Sequence, residues 1–332
     1  MSHSQCGRQF KNIDKAAVMV VPTGVGASIG GFAGDASRAA QKIAEKIPLI
    51  VNPNVVNAAV FSGITENMLY VEGWSLTNFV KGTLGLKPSY KNKIGVVFDS
   101  GISQRVLNIH INTINALKTV YDFDVAGYEI TDESAGVEFF CSGSNVSTGT
   151  LKCPAALLRA GEKLIDKGAQ AIAAVCAFDE PPEDDYENGE GVDIVGGVEA
   201  VISHYMTSNL MCQCVHAPAF EHTDIEGHVV DPKCAAEYIT PTFLPCLFFG
   251  LNNAPLITTD LSESCLTSQN IHSLVMPYNA LGSSIVFDAI EQGIPVYAVR
   301  ENSAVLDVDA AALGLASKIR VIDSYEDYIK EL

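Results

Sequence analysis

Three segments rich in glycine and hydroxyl side chains stand where an apolar run gives way to a helical pattern. The first, VVPTGVGASIGGFAGDA, sets Gly24, Gly26, Gly30, Gly31 and Gly34 around Thr23 and Ser28. The second, CSGSNVSTGTL, carries Ser142, Ser144, Ser147, Thr148 and Thr150, and the third, PYNALGSS, carries Asn279, Ser283 and Ser284. Glycine lets the backbone approach a ligand, while amides and hydroxyls at a helix N-terminus aim donors at an anion. Helix capping alone also selects Ser, Thr and Asn, so one such turn says little. Three in equivalent places point to a small carboxylate or phosphate. The glycines at 24, 26 and 30 do not make G-x-G-x-x-G, the next strand ends in Asn52 rather than an acid, and no turn holds a lysine. This argues against NAD, and against ATP held in a phosphate loop. GASIG around Ser28 has the form of a nucleophile elbow, but Pro22 to Val25 separate it from the strand and no ordered Asp and His partners are evident.

Imidazole, carboxylate and thiol groups come next. GVDIVGGVEAVISH puts Asp193, Glu199 and His204 on and before one helix, and CQCVHAPAF puts His216 at the end of the following strand. Meeting at a strand-end cleft, they would supply a general base and an orienting carboxylate. Were a divalent metal bound, His204 and His216 would be its first ligands, with Asp193 or Glu199 completing the set. Glu199 and His204 are five apart, about 140° around a helix, so they lack the i, i+4 spacing of a zinc-protease motif. A capping or core histidine is the plain alternative for each. His222 and His228, in the polar stretch EHTDIEGH, read as solvated. Cys141 sits where a strand meets the second turn, and helix-terminal amides there would favour its thiolate; a buried packing cysteine is the alternative.

The elements that must position these groups alternate. Apolar runs at Ala16–Val21, Lys93–Phe98, Ala171–Val175 and Ser273–Met276 read as buried parallel strands. Helical spacing follows at Ala36–Lys46, Ser103–Val120, Pro154–Lys167 and Ala280–Gln292. This is an α/β chain of mostly parallel sheets covered by helices, drawn as two Rossmann-like lobes with a cleft between them, residues 1–132 and 133–332. Ligands of such sheets sit at the carboxyl ends of the strands. FDEPPEDDYENGEG, from Phe178 to Gly191, reads as a surface loop or lid.

The 332 residues carry a net charge of -18. With no basic patch to override that field, nucleic acid and membrane drop out as partners. Nine cysteines, an odd number, follow an N-terminus without a signal-type apolar stretch, which implies reduced thiols and a cytoplasmic protein, or a stromal one if a plastid transit peptide precedes the chain. Cys212 and Cys214 share one strand face and read as packing. The apolar run Phe243–Leu251 is far shorter than the ~20 residues of a membrane span.

The stretches PTGVGASIGGFAGDA, YVEGW, STGTL, GVDIVGGVEAVISH, HAPAF and TFLPC with LNNAP resemble a family of uncharacterised cyanobacterial, algal and plant proteins, domain of unknown function family 3326. The resemblance covers nearly the whole chain, transfers no mechanism, and implies that His204 and His216 belong to recurrent motifs. A much weaker resemblance is to the aspartate/glutamate racemase superfamily, through KIGVVFDSG and NALGSSIVFDAIEQGIPV. It implies that Asp99 and Ser100 contact substrate and that Cys141 stands for the first catalytic thiol. No Ala-Cys-Asn-Thr follows, and Gly282 and Ser283 replace the second thiol motif, which leaves one-sided acid/base chemistry.

The resulting expectation is an isomerase- or lyase-type enzyme acting on a small anionic metabolite by acid/base chemistry, cofactor-independent or assisted by a divalent metal, with a homo-oligomer compatible with the sequence. A non-catalytic metabolite sensor or carrier, and a metal-dependent hydrolase using His204 and His216, are the alternatives.

Overall fold

A computed structural model describes residues 13–332 apart from 182–184, 223–224, 226 and 263; Cys6 and part of the acidic loop lie outside the described residues. The strands are β1 (Ala16–Met19), β2 (Leu49–Val51), β3 (Asn57–Ala58), β4 (Phe61–Ser62), β5 (Met68–Tyr70), β6 (Gly85–Lys87), β7 (Ile94–Phe98), β8 (Val125–Ile130), β9 (Val137–Cys141), β10 (Ser147–Leu151), β11 (Ala171–Ala177), β12 (Gln213–Ala219), β13 (Leu256–Thr258), β14 (Ile271–Pro277), β15 (Val296–Val299) and β16 (Ile319–Ile322). The helices are α1 (Ser37–Ala44), α2 (Pro53–Val56), α3 (Gly73–Lys81), α4 (Gln104–Tyr121), α5 (Pro154–Asp166), α6 (Gly196–Leu210), α7 (Ala235–Tyr238), α8 (Leu244–Leu251), α9 (Ser284–Glu291) and α10 (Tyr325–Glu331).

Two parallel sheets organise them. One has the order β16-β15-β14-β1-β2-β5, the other β12-β11-β7-β8. Their central strands include continuous apolar runs because helices cover both faces, AAVM in β1 and IGVVF in β7 being buried at every position, whereas the edge strands β8 and β16 are partly exposed and carry Glu129 and Arg320. The chain enters the first sheet with residues 16–70, builds the second with 94–219, and returns to the first with 271–322. The expected boundary between 132 and 133 therefore runs between strands of one sheet, since β7 pairs with both β8 and β11.

The apolar run expected to be too short for a bilayer is α8, whose Leu244, Leu247, Phe248 and Leu251 are buried between β11 and β12 on one side and β3, β4 and β5 on the other. One apolar cluster thus spans both sheets, with Met19, Tyr70, Phe98, Val215 and Phe248 among its members. Among the described residues no helix is long and apolar enough to cross a membrane. Helix α9 begins at Ser284 and not at Ala280, because the Leu281 amide donates to the Val308 carbonyl at 3.0 Å and Ala280 forms a bridge with Val308, drawing the chain off before it can coil.

Candidate functional site

A cavity of about 860 Å³ opens where the carboxyl ends of β2, β5 and β12 face one another across the two sheets. Asn52 and Asn54 follow β2, Glu72 and Gly73 follow β5, and His216 lies on β12. Helix α6 adds Glu199, Ala200, Ser203 and His204, whose i, i+4 pairs (Glu199 with Ser203, Ala200 with His204) lay one broad stripe along the wall.

Glu72 is wholly buried and caps α3: its Oε1 accepts from the Trp74 amide at 2.9 Å and its Oε2 from the Ser75 amide at 3.1 Å. A helix N-terminus favours a carboxylate there. The Glu72 amide donates to Gln213 Oε1 at 2.9 Å, tying the end of β5 to the start of β12 in the other sheet. His204 donates from Nδ1 to Glu72 Oε1, and its Nε2 has no hydrogen-bond partner among the described residues. About half of the His204 side chain is exposed while Glu72 is almost fully covered, the arrangement of a base oriented by a buried acid. A Cβ added at Gly73 would stand 2.6 Å from His204 Cε1, so glycine there makes room for the ring.

Glu199 and His216 form a second pair. The Cys176 amide donates to His216 Nε2 at 3.2 Å, which leaves the proton on Nδ1, and Nδ1 donates to Glu199 Oε1 at 3.2 Å. Burial holds the imidazole down at about 3, so it is neutral. Burial also pushes the Glu199 carboxyl up to about 8, and with Oε1 accepting from His216 its proton falls to Oε2. Glu237 is likewise pushed up to about 8, first by burial and then by Asp193; its Oε1 accepts from the Ala33 amide at 2.8 Å and from the Tyr186 hydroxyl at 2.9 Å.

Six carboxyl side chains line this cavity (Glu72, Glu180, Glu187, Asp193, Glu199, Glu237) with four histidines (His204, His216, His222, His228), and among the described lining residues there is no lysine or arginine. His222 and His228, read as solvated from the sequence, stand on its wall. The loop expected as a lid contributes Glu180, Tyr186 and Glu187.

The first two turns touch each other and the first and third both bond the 301–305 segment, but their polar groups serve the backbone. Ser147 donates its amide to the Gly24 carbonyl at 2.9 Å and accepts the Gly197 amide on Oγ at 2.8 Å. Ser28 Oγ donates to the Glu301 carbonyl and accepts the Ser303 amide, while Asn279 bonds both backbone groups of Ala304. Ser142 and Ser144 bond each other on the surface, and Ser283 and Ser284 are exposed at the start of α9. Gly26 lies against Val192 and Val305, and Thr148 pairs with Phe140 in the β9–β10 hairpin. Of the turn residues singled out from the sequence, Thr23 and Gly31 line the cavity.

Asp99, 2 % exposed, accepts from the Gly101, Ala135 and Ala177 amides and from Ser134 Oγ, bracing the strand ends of the second sheet. It borders a smaller cavity of about 410 Å³ lined by Gly101, Ser134 and Ala177. Ser100 is exposed, and its amide donates to Thr131 Oγ1. Cys141 ends β9 and is exposed rather than buried. Among the described residues no three His, Cys, Asp or Glu side chains come together as a metal set. Both ring nitrogens of His216 are engaged, Nδ1 of His204 is committed to Glu72, and Asp193 Oδ1 accepts the Val195 and Gly196 amides. Sequence reasoning missed Glu72, Glu237 and Tyr186; the signal for Glu72 was an acid directly at the carboxyl end of a buried strand, in YVEGW.

Fold and site together define a two-lobed α/β protein with a carboxyl- and imidazole-lined cleft at its strand ends. The chain belongs to the family described as protein of unknown function (DUF3326), whose model matches residues 16–330. It is similar to an uncharacterized lipoprotein of Synechococcus sp., 35% identical over 307 residues that cover 90% of this chain and 85% of the relative. No solved structure matches. The relative's designation as a lipoprotein overturns the cytoplasmic or stromal expectation. Neither the family match nor the relative supports the racemase resemblance.

Proposed function

We propose that the protein is an acid/base enzyme of isomerase or lyase type. The observation that carries this reading is the Glu72–His204 pair, with Nε2 left open on a cavity whose wall also holds Glu199. In the reaction His204 Nε2 takes a proton from a substrate C–H, and Glu72 stabilises the imidazolium that forms. The electron pair left behind moves to the substrate atom that Glu199 Oε2 protonates; the Glu199 carboxylate formed keeps its hydrogen bond from His216. The acidic wall favours a neutral or cationic substrate over the small anion anticipated from the turns. By the relative's name, a lipid-anchored location is the one we carry to this chain.

A base of this kind exchanges its proton with solvent. Incubated in D2O with a panel of hydroxy and amino compounds bearing acidic C–H bonds, the wild-type chain is expected to erase a C–H proton resonance, and His204→Gln to leave it intact. Exchange that persists in His204→Gln refutes the assignment, and ligand binding with no exchange in any chain favours a carrier or sensor.

A further inference from the structure

Deepening that reading, and resting on the same cavity, we propose that its ligand is a small organic ammonium ion, held with its charged head between the aromatic wall and the carboxyl group of Glu237. Phe32, Tyr186, Tyr238 and Phe243 supply that wall. The rings of Phe32 and Tyr186 lie 4.6 Å apart, and the hydroxyl of Tyr186 is fixed on Glu237. Aromatic faces and carboxylates are the two groups that attract an ammonium ion away from water. The protein already uses one of these rings so: Lys233 Nζ sits 5.5 Å from the centroid of Phe32.

Among the described residues Glu237 is faced by Tyr186, Asp193, Glu199 and Cys234, and Glu199 by His216, Cys176, Cys246 and Tyr70, none of them a cation in the folded protein near neutrality; the lysine of this region, Lys233, lies over Phe32 and is not one of the cavity's lining residues. An entering ammonium ion would be the charge that lets Glu237 ionise, while Glu199 keeps the proton that it gives to the substrate. Glu237 is held up at about 8, first by burial, so at pH 7 binding the cation releases its proton, whereas binding a neutral molecule does not.

Isothermal titration of the full chain at pH 7, in two buffers of different ionisation enthalpy, tests this with three four-carbon probes: 1,4-diaminobutane, butane-1,4-diol and succinate. The diamine is expected to bind at least about tenfold more tightly than the diol, with release of up to about one proton, and succinate not to bind. In Glu237→Gln, which keeps an acceptor for Ala33 and Tyr186, proton release drops by up to about one and the preference for the diamine shrinks. If that variant does not fold, Tyr186→Phe, which removes only the hydroxyl, is expected to alter proton release in the same assay. Tighter binding of succinate, equal binding of all three probes, or binding of none at tens of millimolar overturns the proposal. His204→Gln separates it from the catalytic reading: it should keep the diamine and lose proton exchange. Retained exchange with retained diamine binding sinks only the enzyme assignment, and lost exchange without diamine binding in the wild type sinks only this one.

Discussion

Replacing Glu199 by Gln tests the electrostatics of the site without any knowledge of its ligand. The carboxyl stands at 4.5 in the unfolded chain and about 8 in the folded one, raised by burial. Between those values the folded state holds a proton that the unfolded state has lost. The stability linked to Glu199 is therefore complete below about 4.5 and falls away as pH rises through about 8. Glu237 acts in the same sense. His216, held down at about 3, acts at lower pH and titrates out of the comparison above about 6.5. From pH 6.5 to about 8, at ~1.4 kcal/mol per pH unit, the ceiling is about 2 kcal/mol for each carboxyl. With about a fifth of the Glu199 side chain open to the cavity, about 1 kcal/mol is the working value. Gln cannot ionise and keeps an oxygen for His216 Nδ1. Urea unfolding at pH 6.5, 7.25 and 8 should show wild-type stability falling, and Glu199→Gln losing about half of that fall. An identical pH slope in the two proteins, or a wild type that gains stability over this range, would refute the reasoning.

Three further outcomes follow from single contacts. Gly73→Ala places a methyl 2.6 Å from the His204 ring, so the ring is displaced; proton exchange should drop by an order of magnitude or more while the thermal midpoint moves by only a few degrees, and an unchanged exchange rate would separate His204 from the chemistry. Gly24→Ala meets Ser147 Oγ at 2.1 Å from a backbone with φ of +72°; a loss of about 2 to 4 kcal/mol in denaturant unfolding is expected, against a negligible change if the two turns can part. Cys141, exposed at the end of β9, should alkylate in the native protein ahead of Cys176 and Cys214, whose thiols burial pushes up, and 1,4-diaminobutane should not slow it; protection by the diamine would place that thiol at the ligand.

The sheets were legible because buried parallel strands such as AIAAVCA are apolar without interruption, a pattern that a single sequence displays in full. Their grouping was not: β1 pairs with β14 across some 250 residues, and no local pattern records which distant run lies alongside. The site divided in the same way. His204, His216, Glu199 and Asp193 were found from residue type at a strand-end position, but the pairs that form were hidden. His204 takes its acid from β5 in the other sheet, and His216, the nearer candidate for a shared cluster, takes Glu199. The turns misled for a physical reason, since a serine that closes two loops onto each other looks the same in sequence as one that binds a phosphate. Ser28 Oγ bonds the backbone of Glu301 and Ser303 and Ser147 Oγ accepts the Gly197 amide, so these hydroxyls close loops within each lobe, while the Ser147 amide on the Gly24 carbonyl joins the two. That junction is what fixes the cleft: the turns clamp one side, Gln213 on the Glu72 amide clamps the other, and the Glu72–His204 pair bridges the gap. The Glu72–His204 pair is therefore formed only when the two sheets are packed together, which couples its geometry to the packing of the whole molecule.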